Sequence, residues 1–501
     1  MRKSAFFPLA STPTALGLTA LLMAPLSSLA SSSGVSGYVP LNQNPYLESH
    51  INRLMVAAEL GAVKRPYAIN QVRRAVQKIC DVENVSKPAL KKGCYVVKDY
   101  IERVDSGSYV NHASVSARYT KDSDLNDTQP TMAIANQRGE EIDAVWQLQG
   151  QAVLTYGDYL ALNAGAKAWQ GEVNLEDSYV SIGVPYLQLD VGYKPHWLSP
   201  FKQSAMLLST HAPTFANVSL SNNTPLTDWN INYELFAGQL SESQNILYQG
   251  ELITGKPMLT GVHFSISPAP GFTLALNRIL QSGGGERGNG FGDILDAFFD
   301  PSGSDNTSEN LSVDEQFGNQ AASIVTRFDF PGDTPFSIYM EYAGEDTSRG
   351  TNYRLGNSSL SAGFDFPLLF NRFSLNYEYS NWQNGWYVHH VYRDGLVNDG
   401  RIIGHYGAEL RARSNSGAGE SIGASTHNLE LGWQISPSER VEFGFSTIKN
   451  NELSSYDYVN GRTFSLDWYT NVAGYNSKIS ILNTRNTFDE KYTSLSFTLF
   501  Q

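Results

Sequence analysis

From Tyr109 to the C-terminus the chain is organised by a period of two. Ile142, Ala144, Trp146, Leu148, Gly150, Ala152, Leu154 and Tyr156 fall on one face of an extended segment, with Asp143, Gln147, Gln149 and Gln151 on the other. Phe336, Ile338, Met340 and Tyr342 repeat the scheme; Phe373, Leu375, Tyr377 and Tyr379 oppose Ser374, Asn376, Glu378 and Ser380; Leu429, Leu431, Trp433 and Ile435 oppose Asn428, Glu430, Gly432 and Gln434. Successive side chains of a strand point to opposite faces, so each run is a strand with one apolar and one polar face. About twenty such segments of roughly ten residues can be marked. They are separated by turn residues such as Pro331-Gly332-Asp333 and Pro437-Ser438.

A soluble sandwich and a membrane barrel both alternate. In the first the polar face meets water; in the second the apolar face meets lipid and the polar face lines the lumen. Strand number decides for the barrel, because so many adjacent strands without a linker would make an unusually large soluble sheet. Composition agrees: aromatics are 12% and charged residues only 17%, against about 25% charged in a typical soluble domain. Trp169, Tyr193, Trp382 and Trp468 near strand ends suit interfacial girdles. The final strand, Tyr492 to Gln501, carries Leu495, Phe497 and Leu499 on one face, with Phe500 penultimate.

Export is expected as well. Arg2 and Lys3, an apolar stretch from Ala15 to Met23, and Ser28-Leu29-Ala30 before Ser31 read as a signal peptide over residues 1–30. No later run is long and apolar enough for a membrane-spanning helix. The two cysteines, Cys80 and Cys94, are expected to form a disulfide in an oxidising periplasm. The chain therefore divides into the signal peptide, a periplasmic helical plug region over 31–108, and an outer-membrane barrel over 109–501. The fold class is all-β, a large transmembrane antiparallel barrel with a small N-terminal helical bundle, exposed at the cell surface.

Between Tyr46 and Val104 the period is helical. Ile51, Leu54, Met55 and Ala58 stripe a helix from about Leu47 to Leu60 that Gly61 stops. A second helix starts with Asn70 as its N-cap and carries Val72, Val76 and Ile79; a third starts at Ser86 and carries Leu90, Cys94, Val97 and Ile101. Three short helices with one apolar stripe each need a further surface to pack on. The formal charge is −13, but residues 46–104 hold eleven Lys/Arg against six Asp/Glu. That basic region complements inward positions such as Asp143, Asp190, Glu341 and Glu378, so the bundle is expected to dock on the barrel.

Residues 281–320 break the strand rhythm. Gly283-Gly284-Gly285 precedes a helix-like Phe291–Phe299, whose Ile294, Leu295, Phe298 and Phe299 call for cover. A loop of this length belongs on the extracellular side and is expected to fold against or into the barrel mouth.

Catalytic patterns match by letter and fail by context. Gly419-Glu-Ser421-Ile-Gly423 resembles a nucleophile elbow, but lies in a turn between strands rather than between a strand and a helix. In Ser199-Pro-Phe-Lys202 a proline follows the serine directly, and in Gly250 through Lys256 Pro257 stands where a phosphate loop needs Ser or Thr. The nine histidines form no metal motif. The expectation is a non-enzyme with no catalytic residues, metal or cofactor, and no nucleic-acid partner. The run Asn381 to Arg393 is a candidate glycan surface: flat faces of Trp382, Trp386, Tyr387 and Tyr392, with His389 and Arg393, can stack on sugars and bond their hydroxyls.

His196-Trp-Leu-Ser-Pro-Phe-Lys-Gln-Ser-Ala-Met-Leu-Leu-Ser-Thr-His-Ala-Pro213, together with Gly283-Gly-Gly-Glu-Arg-Gly288 and Phe291–Phe299, resembles the Wzi-type capsule-assembly outer-membrane proteins. The resemblance covers the chain beyond the signal peptide. It implies a barrel of about 18 strands with a helical bundle at the periplasmic end. It also implies a lectin that holds exported capsular polysaccharide to the cell, with outer-membrane lipids around it. A porin-like channel for sugars or small polar solutes is the alternative.

Overall fold

The computed structural model describes residues 34–41, 45–81, 88–122, 133–140, 142–288, 290–300, 311–345, 347–348, 351–412, 420–436, 438–452, 454 and 456–501. The expected signal peptide, Ser86 as a helix start, Pro437 and Gly419 of the elbow-like motif lie outside the described residues.

Eighteen antiparallel strands form a closed barrel. Each wall strand pairs with the next along the chain, and the first, Ser108–Asp122, closes on the last, Lys491–Phe500, from Ser114 opposite Phe500 to Asp122 opposite Tyr492. Closure leaves no unpaired sheet edge in the membrane. The surplus over eighteen in the segment count falls in loop hairpins, such as Ser243–Tyr248 with Glu251–Gly255, where Gly250 of the phosphate-loop-like stretch is simply a turn.

The alternation sorts residues by solvent. Ile338, Met340 and Tyr342 are exposed outward, while Ser337, Tyr339 and Glu341 of the same strand are buried inward. Leu431, Trp433 and Ile435, and Leu495 and Phe497, are likewise exposed. Trp468 is exposed to the lipid side, but Trp382 is not a girdle residue: it shares the inward parity of Asn376, Glu378 and Ser380 and is 1% exposed. Asp143 is not an inward wall position either; it is exposed in the turn before Trp146.

The two ends differ. Connections such as Gly157–Tyr159, Pro185–Tyr186 and Ala473–Gly474 are tight, whereas the opposite end carries 193–215, 283–317 and 383–423. Short turns face the periplasm and long loops the exterior in barrels of this kind.

Three helices, α1 Pro45–Ala57, α2 Ile69–Cys80 and α3 Pro88–Asp105, lie at the short-turn end. Ile51, Leu54, Val72, Ala75, Val76, Val97 and Tyr100 form their shared core. Cys80 and Cys94 are joined by a disulfide with Cα atoms 5.7 Å apart. Two boundaries differ from the sequence reading. The α1 helix is stopped by Glu59, which takes the left-handed conformation (φ 58°) while Leu60 N–H reaches the Met55 carbonyl and Glu59 N–H that of Val56, a Schellman arrangement. The N-cap of α2 is Ala68, with no side-chain cap; Asn70 instead donates through Nδ2 to Asn223 Oδ1 at 2.9 Å.

The fourth helix, α4 Phe291–Phe299, confirms a helix in the long loop, but the wall covers Ile294 and Phe298 and leaves Leu295 and Phe299 exposed. Only Ala297 is buried; Phe291 and Phe299 are each 76% exposed.

Candidate functional site

The lumen is filled from both ends. From the short-turn end, the chain between α1 and α2 rises into the barrel: Val63 packs on the inward Ala275 and Val325, and Lys64 Nζ lies 2.6 Å from Glu234 Oε2. From the other end, residues 193–215 descend. Trp197, Leu198, Phe201, Met206, Leu207 and Leu208 are all within 2% of full burial. The two segments meet through paired backbone hydrogen bonds between Arg65 and Trp197.

Wall carboxylates hold this inward loop. Glu378 accepts backbone N–H bonds from Lys202 (2.6 Å), Gln203 (3.0 Å) and Ser204 (3.2 Å). Glu341 accepts from Ser199 Oγ at 3.1 Å. Lys202 Nζ pairs with Asp365 at 3.1 Å. So Glu341 and Glu378 serve the descending loop, not the helices. Ser199, the serine of the S-x-x-K pattern, is fully buried inside that loop, with its hydroxyl also accepting from Phe201 N–H. Nearby, Lys194 Nζ bonds Asp190 (2.7 Å) and Glu234 (3.2 Å), and Tyr38 OH donates to Asp190 at 2.8 Å. These buried charges are thus either paired or hydrogen-bonded, as burial requires.

Cavities remain among the described residues. One of about 360 Å³ runs inside the wall from the helices past Arg65 to the descending loop, lined by Glu48, Arg65, Arg118, Lys202 and Arg440 among others. Another, about 260 Å³, lies among the long loops and is lined by Ser241, Glu242, Ser243, Gln281, Tyr392 and Asp394. Its size is just below the roughly 300–1,000 Å³ usual for small-ligand sites. Asp394 accepts from Ser243 Oγ at 2.5 Å and from Asn245 Nδ2 at 2.8 Å. Gln281 Nε2 donates to the Gly395 carbonyl at 3.3 Å, while its Oε1 is buried with no partner among the described residues. A pocket with an oriented carboxylate, serine hydroxyls and one aromatic edge suits a ligand rich in hydroxyls. Glu242 and Gly400 are exposed at its rim, so it opens outward.

The six residues singled out from the sequence are placed mostly elsewhere. Trp382, Trp386 and Tyr387 are 1% exposed and belong to a core with Leu198, Met206, Leu396 and Tyr406. Their ring faces are covered by protein, not offered to a ligand. Tyr387 N–H donates to Glu345 at 2.6 Å, and its hydroxyl bridges from His405 N–H to the Met206 carbonyl. His389 is buried with Nδ1 accepting from Val391 N–H, and burial lowers its pKa from 6.5 to about 3. Arg393 is half-buried, its N–H bonded to the Asn245 carbonyl. Of the six, only Tyr392 lines the outer cavity, at one edge, with its hydroxyl on the Gly283 carbonyl at 3.0 Å. Sequence reasoning missed Asp394, Gln281, Ser241 and Ser243; the one local signal was the Asp394-Gly395 turn directly after the aromatic run. Among the described residues no group of three metal-ligating side chains occurs.

Comparison with known proteins places the fold in a family. A profile of the capsule assembly protein Wzi family matches residues 110–412. No curated protein matches the chain by sequence. Among solved structures, the chain is similar to Wzi of Escherichia coli, an outer-membrane protein described as involved in group 1 capsule assembly and as a carbohydrate-binding β-barrel. That match has 15% identity and a TM-score of 0.66 over 94% of this chain and 99% of that one. Acinetobacter baumannii OccAB4 matches at 8% identity and a TM-score of 0.46, over 78% of this chain and 96% of that one. OprD of Pseudomonas aeruginosa matches at 9% and 0.45, over 79% and 93%. The family profile spans well over half of the chain, from the first wall strand through the descending loop to the mouth. The chain belongs to the Wzi family of capsule-assembly proteins, as an 18-stranded barrel of the outer membrane.

Proposed function

We propose that the protein is a non-catalytic lectin of the cell surface that anchors capsular or other surface polysaccharide, and that the glycan seats in the cavity bounded by Gln281, Tyr392 and Asp394. The observation that carries this reading is the filled lumen. A barrel occupied by the chain at Arg65 from one end and by the loop at Trp197 from the other offers its outer loops, rather than a pore, as the working surface. The Escherichia coli relative's description as carbohydrate-binding supports it. The buried Ser199 favours binding without catalysis. Residues 31–108 act as a periplasmic plug and 109–501 as the barrel, set among outer-membrane lipids.

The lining supports one ligand class over another. Glu242 and Asp394 line the cavity and Asp399 stands beside it, and no Lys or Arg is among its described lining residues. Neutral sugar units with free hydroxyls therefore fit better than uronic acids. Full-length protein in detergent should retain a neutral polysaccharide on a glycan array, and Asp394→Ala should weaken retention at least tenfold. Retention by Asp394→Ala equal to the parent would place the site elsewhere; no glycan retained by the parent protein would end the lectin reading.

A further inference from the structure

The α4 helix lies at the head of the hairpin formed by strands Phe272–Ser282 and Gly318–Phe330, and it packs on the outside of the wall. Leu274, Leu276, Arg278 and Leu280 share the lipid-facing parity of the first strand. Leu276 is 49% exposed, whereas Leu280, on the same face, is 2%. The difference is α4: Leu280 is covered by Ala297 and Phe317, with Ile294 and Phe298 beside them. Arg278 donates to the carbonyls of Ala297 (2.7 Å) and Phe298 (2.9 Å) and lies 5.5 Å from the Phe298 ring centroid. A wall arginine that would otherwise face lipid thereby satisfies the open C-terminal carbonyls of the helix. At the other end Asp293 Oδ2 accepts from Gly290 N–H at 2.7 Å and fixes the first turn.

At the helical period, Ala297, Ile294 and Phe298 form one flank of a broad apolar arc, and Phe291, Leu295 and Phe299 continue it. Asp293, Asp296 and Asp300 lie on the opposite edge. The wall covers only the first flank. Phe291 and Phe299 are each 76% exposed and Leu295 is 41% exposed. The uncovered flank is continuous with an established lipid-facing row: Leu276 stands opposite Ile324, and Ile324 opposite Tyr342, all exposed. Leu280 lies four residues beyond Leu276, roughly 13 Å further out along the strand.

We propose that α4 is an interfacial helix that seats Phe291, Leu295 and Phe299 among the acyl chains of the outer leaflet, at the extracellular edge of the membrane. The acidic edge rules out charge attraction to an anionic surface as its hold; apolar contact carries it. The seat also braces the outer cavity, because the strand before α4 carries Gln281, which lines that cavity, and the loop to α4 begins at Gly283, whose carbonyl holds Tyr392. The placement of the helix does not rest on the lectin reading and can fail or stand independently of it.

With no free cysteine among the described residues, a single introduced thiol can be labelled selectively. Leu295→Cys, Phe299→Cys and, on the polar edge, Asp296→Cys would carry an environment-sensitive fluorophore in full-length protein reconstituted into phosphatidylcholine vesicles. The labels at Leu295 and Phe299 should be blue-shifted and quenched several-fold more by shallow nitroxide lipids than the label at Asp296, which should be quenched by aqueous iodide instead. Equal iodide quenching at all three positions would overturn the proposal. A blue shift at Leu295 without nitroxide-lipid quenching would also overturn it and assign the face to a protein contact.

Discussion

Arg65 and Trp197 exchange both backbone hydrogen bonds, Arg65 N–H to the Trp197 carbonyl at 2.8 Å and Trp197 N–H to the Arg65 carbonyl at 3.0 Å. One residue belongs to the chain rising from the helices, the other to a loop descending from the opposite end. An antiparallel backbone bridge thus joins the two fillings of the lumen, with Leu41 packed on Trp197 and Ala205 beside it. Around it, buried charged groups such as Lys64, Lys194 and Glu378 find partners within the protein.

The first consequence concerns Glu234, which holds Lys64 (2.6 Å), Lys194 (3.2 Å) and His196 (2.9 Å) together. Glu234→Ala leaves Lys64 without its ion-pair partner and removes one of the two carboxylates paired with Lys194. Breaking a buried pair in this way costs about 3–5 kcal/mol. Lys64→Met should cost less, because Glu234 keeps two partners. Urea unfolding of the reconstituted protein should rank Glu234→Ala well below Lys64→Met; the reverse order would show that the cluster is not organised by Glu234.

Gly61 is a second sensitive point. Its N–H donates to Asp329 Oδ2 at 2.8 Å, and a Cβ there would lie 2.2 Å from Arg327 Nε and 2.3 Å from Asp329 Oδ2. Those two form a buried ion pair at 2.9 Å that cannot shift without loss. Gly61→Ala should therefore loosen the helices from the wall by about 1–3 kcal/mol, seen as faster proteolysis within residues 45–105 while the barrel stays resistant. Unchanged proteolysis would mean the ion pair accommodates the methyl group.

Part of this was readable in the chain itself. The period of two assigns Ile338, Met340 and Tyr342 to lipid and Ser337 and Glu341 to the lumen, because a barrel wall imposes only two environments on alternate residues. The three helices follow from their stripes. The descending loop does not: Trp197, Leu198, Phe201 and Met206–Leu208 are apolar without a period, and nothing local says whether such a segment goes into the lumen or over the rim. Trp382 and Trp386 mislead for the same reason. An aromatic flanked by Asn and Gln reads alike as a stacking platform or as a core residue, and only the arrival of residues 198–208 from another loop makes it core. The cavity residues Gln281 and Asp394 are distant in sequence and converge only through the loop packing.

Acid should loosen the mouth. Burial holds His389 and His405 neutral, lowering each pKa from 6.5 to about 3. Both folded values are depressed, so their contribution is fully present above about pH 6.5 and is lost as pH falls toward about 3. Protease cleavage within residues 383–412 should rise between neutral pH and about pH 4.5. The double variant His389→Asn with His405→Asn, which keeps acceptors for the Val391 and Gly407 N–H groups, should flatten that rise. An undiminished rise in the double variant would assign the acid response to other groups.

The disulfide closes a loop between α2 and α3. A loop of about 15 residues contributes roughly 3 kcal/mol by restricting the unfolded chain. Cys80→Ser with Cys94→Ser should lower the helical transition in circular dichroism while leaving the β signal in place. Free thiols in protein matured in an oxidising periplasm would contradict the bond itself.

The closed lumen is tested most directly by conductance. Full-length protein inserted in planar bilayers should give little or no steady current, and deletion of residues 46–104 should raise it only modestly, because the descending loop 193–215 still occupies the barrel. Stable porin-like currents from the intact protein would contradict a lumen blocked by the segments that meet at Arg65 and Trp197, and would return the channel reading.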